Sequence, residues 1–380
     1  MLKSETRLGI IFIIVLLTLA AVLSLPLYRH LPDAELAFTA EQPVAARGEA
    51  FLDGDFVSLI AVGDIMLARK VDRLMRTYGE GYPFENVSEM LSSADITFGN
   101  LECPLSDRGT PLPGKQIWFR ARPSAAVQLK KAGFDVLSLA NNHTLDFDTE
   151  ALLDTKRYLE AESICPVGAG RDIQEAREPK IININGLRVG FLAYTDMAEV
   201  IWSYQYPRML RATESEAGAA PLDEEAMVED ISRLSSKTDI IAVSLHWGVE
   251  YSHIPFAEQR RLAHRLVDSG ADLIVGHHPH VVQGAEHYKH GFIAYSLGNF
   301  VFDQNWSTDT REGLILEADL GRLGVMDARL YPVIIRESQP SMEETSWAQK
   351  LARDVVEYSR PLETDLKIEE DPLALRPGSV

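Results

Sequence analysis

The residues with the plainest chemical use are His277, His278 and His280, in the stretch Gly276-His-His-Pro-His-Val281. Imidazoles so closely spaced are borderline nitrogen donors of the kind that hold transition metals. The run before them, Leu273 to Val275, is apolar and stops at a glycine, which reads as a buried strand delivering a loop. The pattern recurs along the chain. Phe56 to Asp64 is an apolar run ending on an acid, and Ala94 to Glu102 ends on Asn100 and Glu102. Phe134 to His143 ends on Asn141, Asn142 and His143, and Asp239 to His246 ends on an imidazole. Any one tip has an ordinary explanation: Asp64 as a helix cap, Asn141-Asn142 as a turn, His246 as a packed ring beside Trp247. Together they point to one site. Asp64 and Glu102 are hard oxygen donors, Asn142 offers a carbonyl oxygen, and the histidines add nitrogen. Such a mixed set suits Mn, Zn or Fe, as one ion or a pair. A histidine outside the metal set can protonate a leaving group. His143 and His246 are the candidates, and Asp146 is spaced to orient His143. Glu250 and His253 read as neighbours of the ligands or as surface residues, and His287 and His290 as solvated turn residues.

Those tips converge only if strands alternate with helices. Helical spacing predicts helices over Ile65–Tyr78, Val87–Ser93, Ser124–Ala132, Thr149–Ala161, Leu222–Ser236 and Ala257–Ser269. Lys180 to Tyr194 reads as a hairpin turning at Asn185-Gly186. Phe292–Ser296, Gly313–Leu320 and Val325–Ile335 read as late strands, and 337–380 as helical and acidic. Arg108–Arg122 is an irregular loop. Asp196–Pro221 is a long loop bearing Trp202, Tyr204 and Tyr206, placed to form a lip over a site. The fold class is therefore layered α/β, whose ligand sites lie beyond the carboxyl ends of the strands.

The chain has 380 residues, 46% hydrophobic, with a net charge of -19. That supports one large or two medium domains and argues against non-specific nucleic-acid binding. Lys3 and Arg7 precede an uncharged stretch, residues 8–25, close to the ~20 residues that span a bilayer. We expect a cytoplasmic end over 1–7, a transmembrane signal anchor over 8–27 and a linker over 28–55. The main domain is expected over 56–335 and an acidic extension over 336–380. A cleaved signal is the alternative. The arrangement is that of a single-pass protein of the bacterial cell membrane with its domain outside. Cys103 and Cys165 are too few for a disulfide framework, and one bridge between them stays open.

Six stretches resemble one family. Gly63-Asp-Ile-Met-Leu-Ala-Arg69, Asn100-Leu-Glu-Cys-Pro-Leu105 and Ala140-Asn-Asn-His-Thr-Leu-Asp146 come first. His246-Trp-Gly-Val-Glu-Tyr251, Gly276–Val281 and Tyr295-Ser-Leu-Gly-Asn-Phe-Val-Phe-Asp303 follow in order. They are similar to the CapA family of bacterial capsule and poly-γ-glutamate synthesis proteins, itself similar to the calcineurin-like metallophosphoesterases. The resemblance implies a four-layer α/β/β/α sandwich. It implies Asp64, Glu102, Asn142, His246, His278 and His280 as metal ligands and His143, with Asp146, as the acid–base residue. Asn100, His277, Glu250 and Asn299 then stand beside the ligands. One position departs: Met66 occupies the place of a histidine that phosphoesterases use, and a thioether is a poor ligand for such metals. The expected protein is a metal-dependent hydrolase or transferase acting on an anionic polymer or other cell-envelope substrate, alongside membrane synthase or export subunits. The alternatives are a non-catalytic component of that machinery and a general metallophosphatase.

Overall fold

The computed structural model describes residues 56–343, 345–370 and 372–378. The expected cytoplasmic end, anchor and linker lie outside them. Among the described residues no helix is long and apolar enough to cross a membrane.

Two β-sheets carry the fold. The larger has the spatial order Leu366–Glu370, Leu373–Pro377, Gly324–Arg336, Glu312–Gly321, Val57–Ile65, Ile96–Leu101, Val136–Ser138, Cys165–Val167. Its last four strands run parallel, and the Glu312 strand is antiparallel to Val57–Ile65. The smaller runs Ala285–Tyr288, Gly291–Ala294, Leu273–His277, Ile240–His246, Leu187–Thr195, Lys180–Ile184, with four parallel strands between antiparallel edges. Alternate side chains of one strand serve two cores. Val57, Leu59 and Ala61 meet Phe191, Ala242 and Val275 of the smaller sheet. Ile60 and Val62 face the opposite way, under helices Arg69–Tyr78, Ala125–Lys131 and Asp148–Ala161. In the smaller sheet, Ile241, Val243 and Leu245 face helices Glu224–Ser235 and Ala257–Asp268. Helices thus cover the outer face of each sheet while the inner faces pack together. Burial on both faces is why these strands read as unbroken apolar runs.

Three local expectations need correction. The helix expected from Ile65 begins at Arg69, because Ile65 still pairs with Leu101 and Val301, and Met66 N donates to Val301 O at 2.8 Å. The region after 337 is helical over Ser346–Ser359 and a 3-10 turn at Arg360–Leu362, and Leu366–Glu370 and Leu373–Pro377 form a hairpin on the sheet edge. The long loop after Asp196 contains a small hairpin, Ile201–Ser203 with Tyr206–Met209. Both cysteines are free, which closes the question of a bridge.

Candidate functional site

The parallel strands of both sheets end at one place. Asp64 closes Val57–Ile65 in register with Asn100 and with Asn299, which opens the short strand Asn299–Val301. His246 ends its strand opposite His277. Two close approaches hold the strand ends together: a Cβ on Gly63 would lie 2.0 Å from Gly298 O, and one on Gly276 1.8 Å from Tyr295 O. Past His277 the backbone turns left-handed, with φ 95° at His278 and 57° at His280. These are costly conformations for residues with a Cβ, of the sort concentrated at functional sites.

Asp64, Glu102 and His246 are fully buried, with donor atoms all within 4.8 Å of one another. Asn100 ties them: its Nδ2 donates to Asp64 Oδ1 at 2.8 Å and lies 3.3 Å from His246 Nδ1. Asn141 Nδ2 in turn donates to Asn100 Oδ1 at 3.1 Å. His280 Nδ1 is 3.0 Å from Asn299 Oδ1 and 3.3 Å from Asp64 Oδ2, and its Nε2 is 3.9 Å from Glu102 Oε2. His277 Nδ1 approaches Asp64 Oδ1 to 3.4 Å without a hydrogen bond that satisfies either ring nitrogen. The His278 ring centre is 4.7 Å from that of His246. Glu102 Oε2, Asn142 Oδ1, His246 Nε2, both nitrogens of His277 and His278 Nδ1 are buried with no hydrogen-bond partner. Buried polar atoms are almost always paired, so a cluster of unpaired ones is a strong sign of a ligand's place.

The electrostatics are uneven. Burial pushes the Glu102 carboxyl well above the usual range, and the Asp64 charge pushes it further. Burial acts the same way on Asp64, but the His277 and His280 rings beside it outweigh it and hold that carboxyl well below. Burial opposes a charge on His280, yet the Glu102 and Asp64 carboxylates raise its pKa to about 9. Burial lowers His246 well below the usual value, and lowers His278 to about 3.

His143 forms a second group. Its Nδ1 is 2.6 Å from Asp146 Oδ2, its backbone N donates to Asn141 Oδ1 at 3.0 Å, and the Phe119 ring stacks on it with centroids 3.9 Å apart. Burial lowers its pKa to about 4 despite the Asp146 carboxylate, so the ring is neutral near pH 7. Lys115 Nζ pairs with Asp146, donates to Asn142 O at 2.6 Å and lies 3.2 Å from His143 Nδ1. Tyr251 and Trp306 are exposed on the rim, the Tyr251 ring 6.4 Å from that of His280. Trp202, from the long loop, covers Lys115 at 5.0 Å.

The chain thus brings Asp64, Glu102, Asn100, His246, His277, His278, His280 and Asn299 into one buried cluster, with Asn142, His143 and Asp146 in the adjoining turn. Glu250 stands apart: it is exposed, and bears on Glu102 and His280 only through its charge. Met66 is buried and its sulfur accepts from Ala68 N at 3.1 Å. Sequence reasoning passed over Lys115 and Phe119, and placed Asn141 at a strand tip without giving it a role of its own. Nothing local marks Lys115, since a lysine in a polar loop is ordinarily solvated.

Residues 58–304 match the family described as bacterial capsule synthesis protein PGA_cap. The chain is 35% identical over 297 residues to the capsule biosynthesis protein CapA of Bacillus anthracis, covering 76% of this chain and 70% of that one. It is 33% identical over 299 residues to the PGA biosynthesis protein CapA of Bacillus subtilis, covering 78% and 76%.

Proposed function

This chain belongs to the bacterial capsule synthesis protein family, and on that premise we propose that it is a metal-dependent hydrolase or transferase. Its substrate is an anionic polymer of the cell envelope, attacked at an amide or phosphoester bond. The observation that carries this reading is the set of buried donor atoms left without partners on Glu102, Asn142, His246, His277 and His278. With Asp64 and His280 they make a mixed oxygen and nitrogen set, and that chemistry fits Mn, Zn or Fe, as one or two ions. A divalent ion there supplies Lewis acidity toward a substrate oxygen.

The remaining work falls to the chain itself. Asp146 accepts from His143 Nδ1–H and leaves Nε2 to exchange a proton with substrate. Phe119 shields the ring from water, and Asn100 and Asn299 fix the ligands' orientation. The face-to-face sheets with helices outside support placing the domain among four-layer α/β/β/α, metallophosphoesterase-like sandwiches. The uncharged stretch within 8–27 supports a single-pass anchor in the bacterial membrane, with the domain outside and synthase or export subunits as neighbours.

A second reading is a non-catalytic component of the polymer machinery. Met66 favours it, because the position offers a sulfur already turned toward Ala68 N. Elemental mass spectrometry of the full chain, purified without chelator, tests the first reading against the second. Metal near one or two ions per chain that falls in His278→Ala, with loss of polymer from cells carrying Asp64→Ala, supports the enzyme. Protein that binds no metal on titration, in cells where Asp64→Ala still makes polymer, supports the component.

A further inference from the structure

Lys115 is a lysine in an irregular loop, yet it is only 4% exposed. Its ammonium contacts the Asp146 carboxylate, the Asn142 carbonyl oxygen at 2.6 Å and His143 Nδ1 at 3.2 Å. The indole of Trp202 closes the far side, 5.0 Å from Nζ. Gly114 lets the loop come this near: a Cβ there would lie 2.3 Å from Trp202 O, and its φ is 84°. Burying an ion pair is a poor way to gain stability, since desolvation takes back most of the attraction. Three neighbours of Lys115 lie in the Asn142–Asp146 turn, which carries one proposed metal donor and the proposed proton-transfer residue.

The geometry has a consequence for His143. Nδ1 lies between a carboxylate oxygen at 2.6 Å and an ammonium at 3.2 Å. An ammonium has only donors. Were its protons aimed at Nδ1, the ring proton would sit on Nε2 and Asp146 would face a bare nitrogen. With the Asn142 carbonyl and the other Asp146 oxygen within reach, the ammonium has two better acceptors. Nδ1–H then goes to Asp146 Oδ2. The Asp146 carboxylate is also held by the Phe119 backbone N at 2.6 Å, so it cannot swing away.

We propose that Lys115 is a positioning residue: it ties the Asn142 carbonyl to the Asp146 carboxylate and thereby holds His143 in the Nδ1–H tautomer, with Nε2 presented to substrate. Its importance for the reaction rests on the reading of His143 given above, but the tautomer is read without metal or substrate.

The test is a long-range proton–nitrogen correlation spectrum of the full chain in detergent, labelled with 15N-histidine and freed of metal by chelator. His143→Gln identifies the His143 signals. The wild type is expected to show a protonated-type Nδ1 and an unprotonated-type Nε2. In Lys115→Met these signals move toward tautomer-averaged positions, while circular dichroism stays unchanged. Lys115→Gln, which keeps an N–H donor group and most of the volume, gives a smaller movement and decides the matter if the methionine variant does not fold. His143 signals that stay put in whichever variant folds overturn the proposal. So does failure of both variants to fold, which would make Lys115 a structural residue only. A chain that binds no metal, yet whose His143 tautomer depends on Lys115, would sink the enzymatic reading and leave this one standing.

Discussion

Loading the buried cluster with a divalent ion must expel protons, and the number can be worked out. Before an ion binds, Asp64 is ionised and His280, raised by the Glu102 and Asp64 carboxylates, carries a proton up to about pH 9, while burial pushes the Glu102 carboxyl up and the charge on His280 pulls it back. Metal donors must be deprotonated, so binding near pH 7 releases the His280 proton. One proton per ion makes the logarithm of the affinity rise by about one per pH unit, roughly 1.4 kcal/mol per unit. The assay is isothermal titration with Mn or Zn in buffers of different ionisation enthalpy, which reads proton release directly. His280→Ala is expected to remove about one proton from the release, and Glu102→Gln to reduce it by taking away the carboxylate that raises His280. The same groups set the sign for stability without metal. A raised carboxyl binds more protons folded than unfolded, so Glu102 costs stability as pH rises from the ordinary carboxylate range through its folded pKa. His280 contributes stability below the ordinary histidine value, and that contribution is lost as pH rises through about 9. Added metal should therefore raise the melting temperature more at pH 8 than at pH 6. Affinity that does not change with pH, or proton release indifferent to both substitutions, would refute the assignment of His280 as a proton-carrying ligand held by Glu102.

Further outcomes follow from particular contacts. Gly276→Ala puts a methyl 1.8 Å from Tyr295 O and 2.8 Å from Trp247 Nε1; overpacking of this kind costs about 1–3 kcal/mol, measured by denaturant unfolding. Asn100→Ala removes the amide that joins Asp64, His246 and Asn141, and loss of such an outer partner lowers metal affinity by roughly 10–100-fold, read by competition with a chelating dye. Burial raises the Cys103 thiol to about 12, so a thiol reagent near pH 8 should find Cys103 silent in the native protein and both cysteines reactive after denaturation. Wild-type protein given Mn is expected to release no nitrophenol from an aryl phosphate above background, because Met66 supplies no imidazole to the cluster; brisk turnover would favour a general phosphatase.

Much of this cluster could be read from the chain because the strands that deliver it are buried on both faces. A strand such as Val57–Ile65 has no solvent side, so it stays apolar until the polar residue at its carboxyl end. Where one face meets water the signal fades. Leu366–Glu370 buries only its leucine, and its glutamates suggest a solvated helix until Leu373–Pro377 is seen beside it. The start of the Arg69–Tyr78 helix was hidden for another reason. Ile65 and Met66 have helix-compatible spacing, but backbone pairing to Leu101 and Val301 overrides it. Lys115 is the hardest case. Its type predicts exposure, and only tertiary structure shows Asp146, Asn142 and Trp202 closing around it. The proposed donors had to be polar at strand ends and so were visible. Lys115 is betrayed only by its burial, which no spacing rule reports. It follows that a chain could keep all the donor residues, alter the 108–122 loop, and present the same motifs with His143 no longer fixed; Lys115→Met in an otherwise unchanged chain is that experiment.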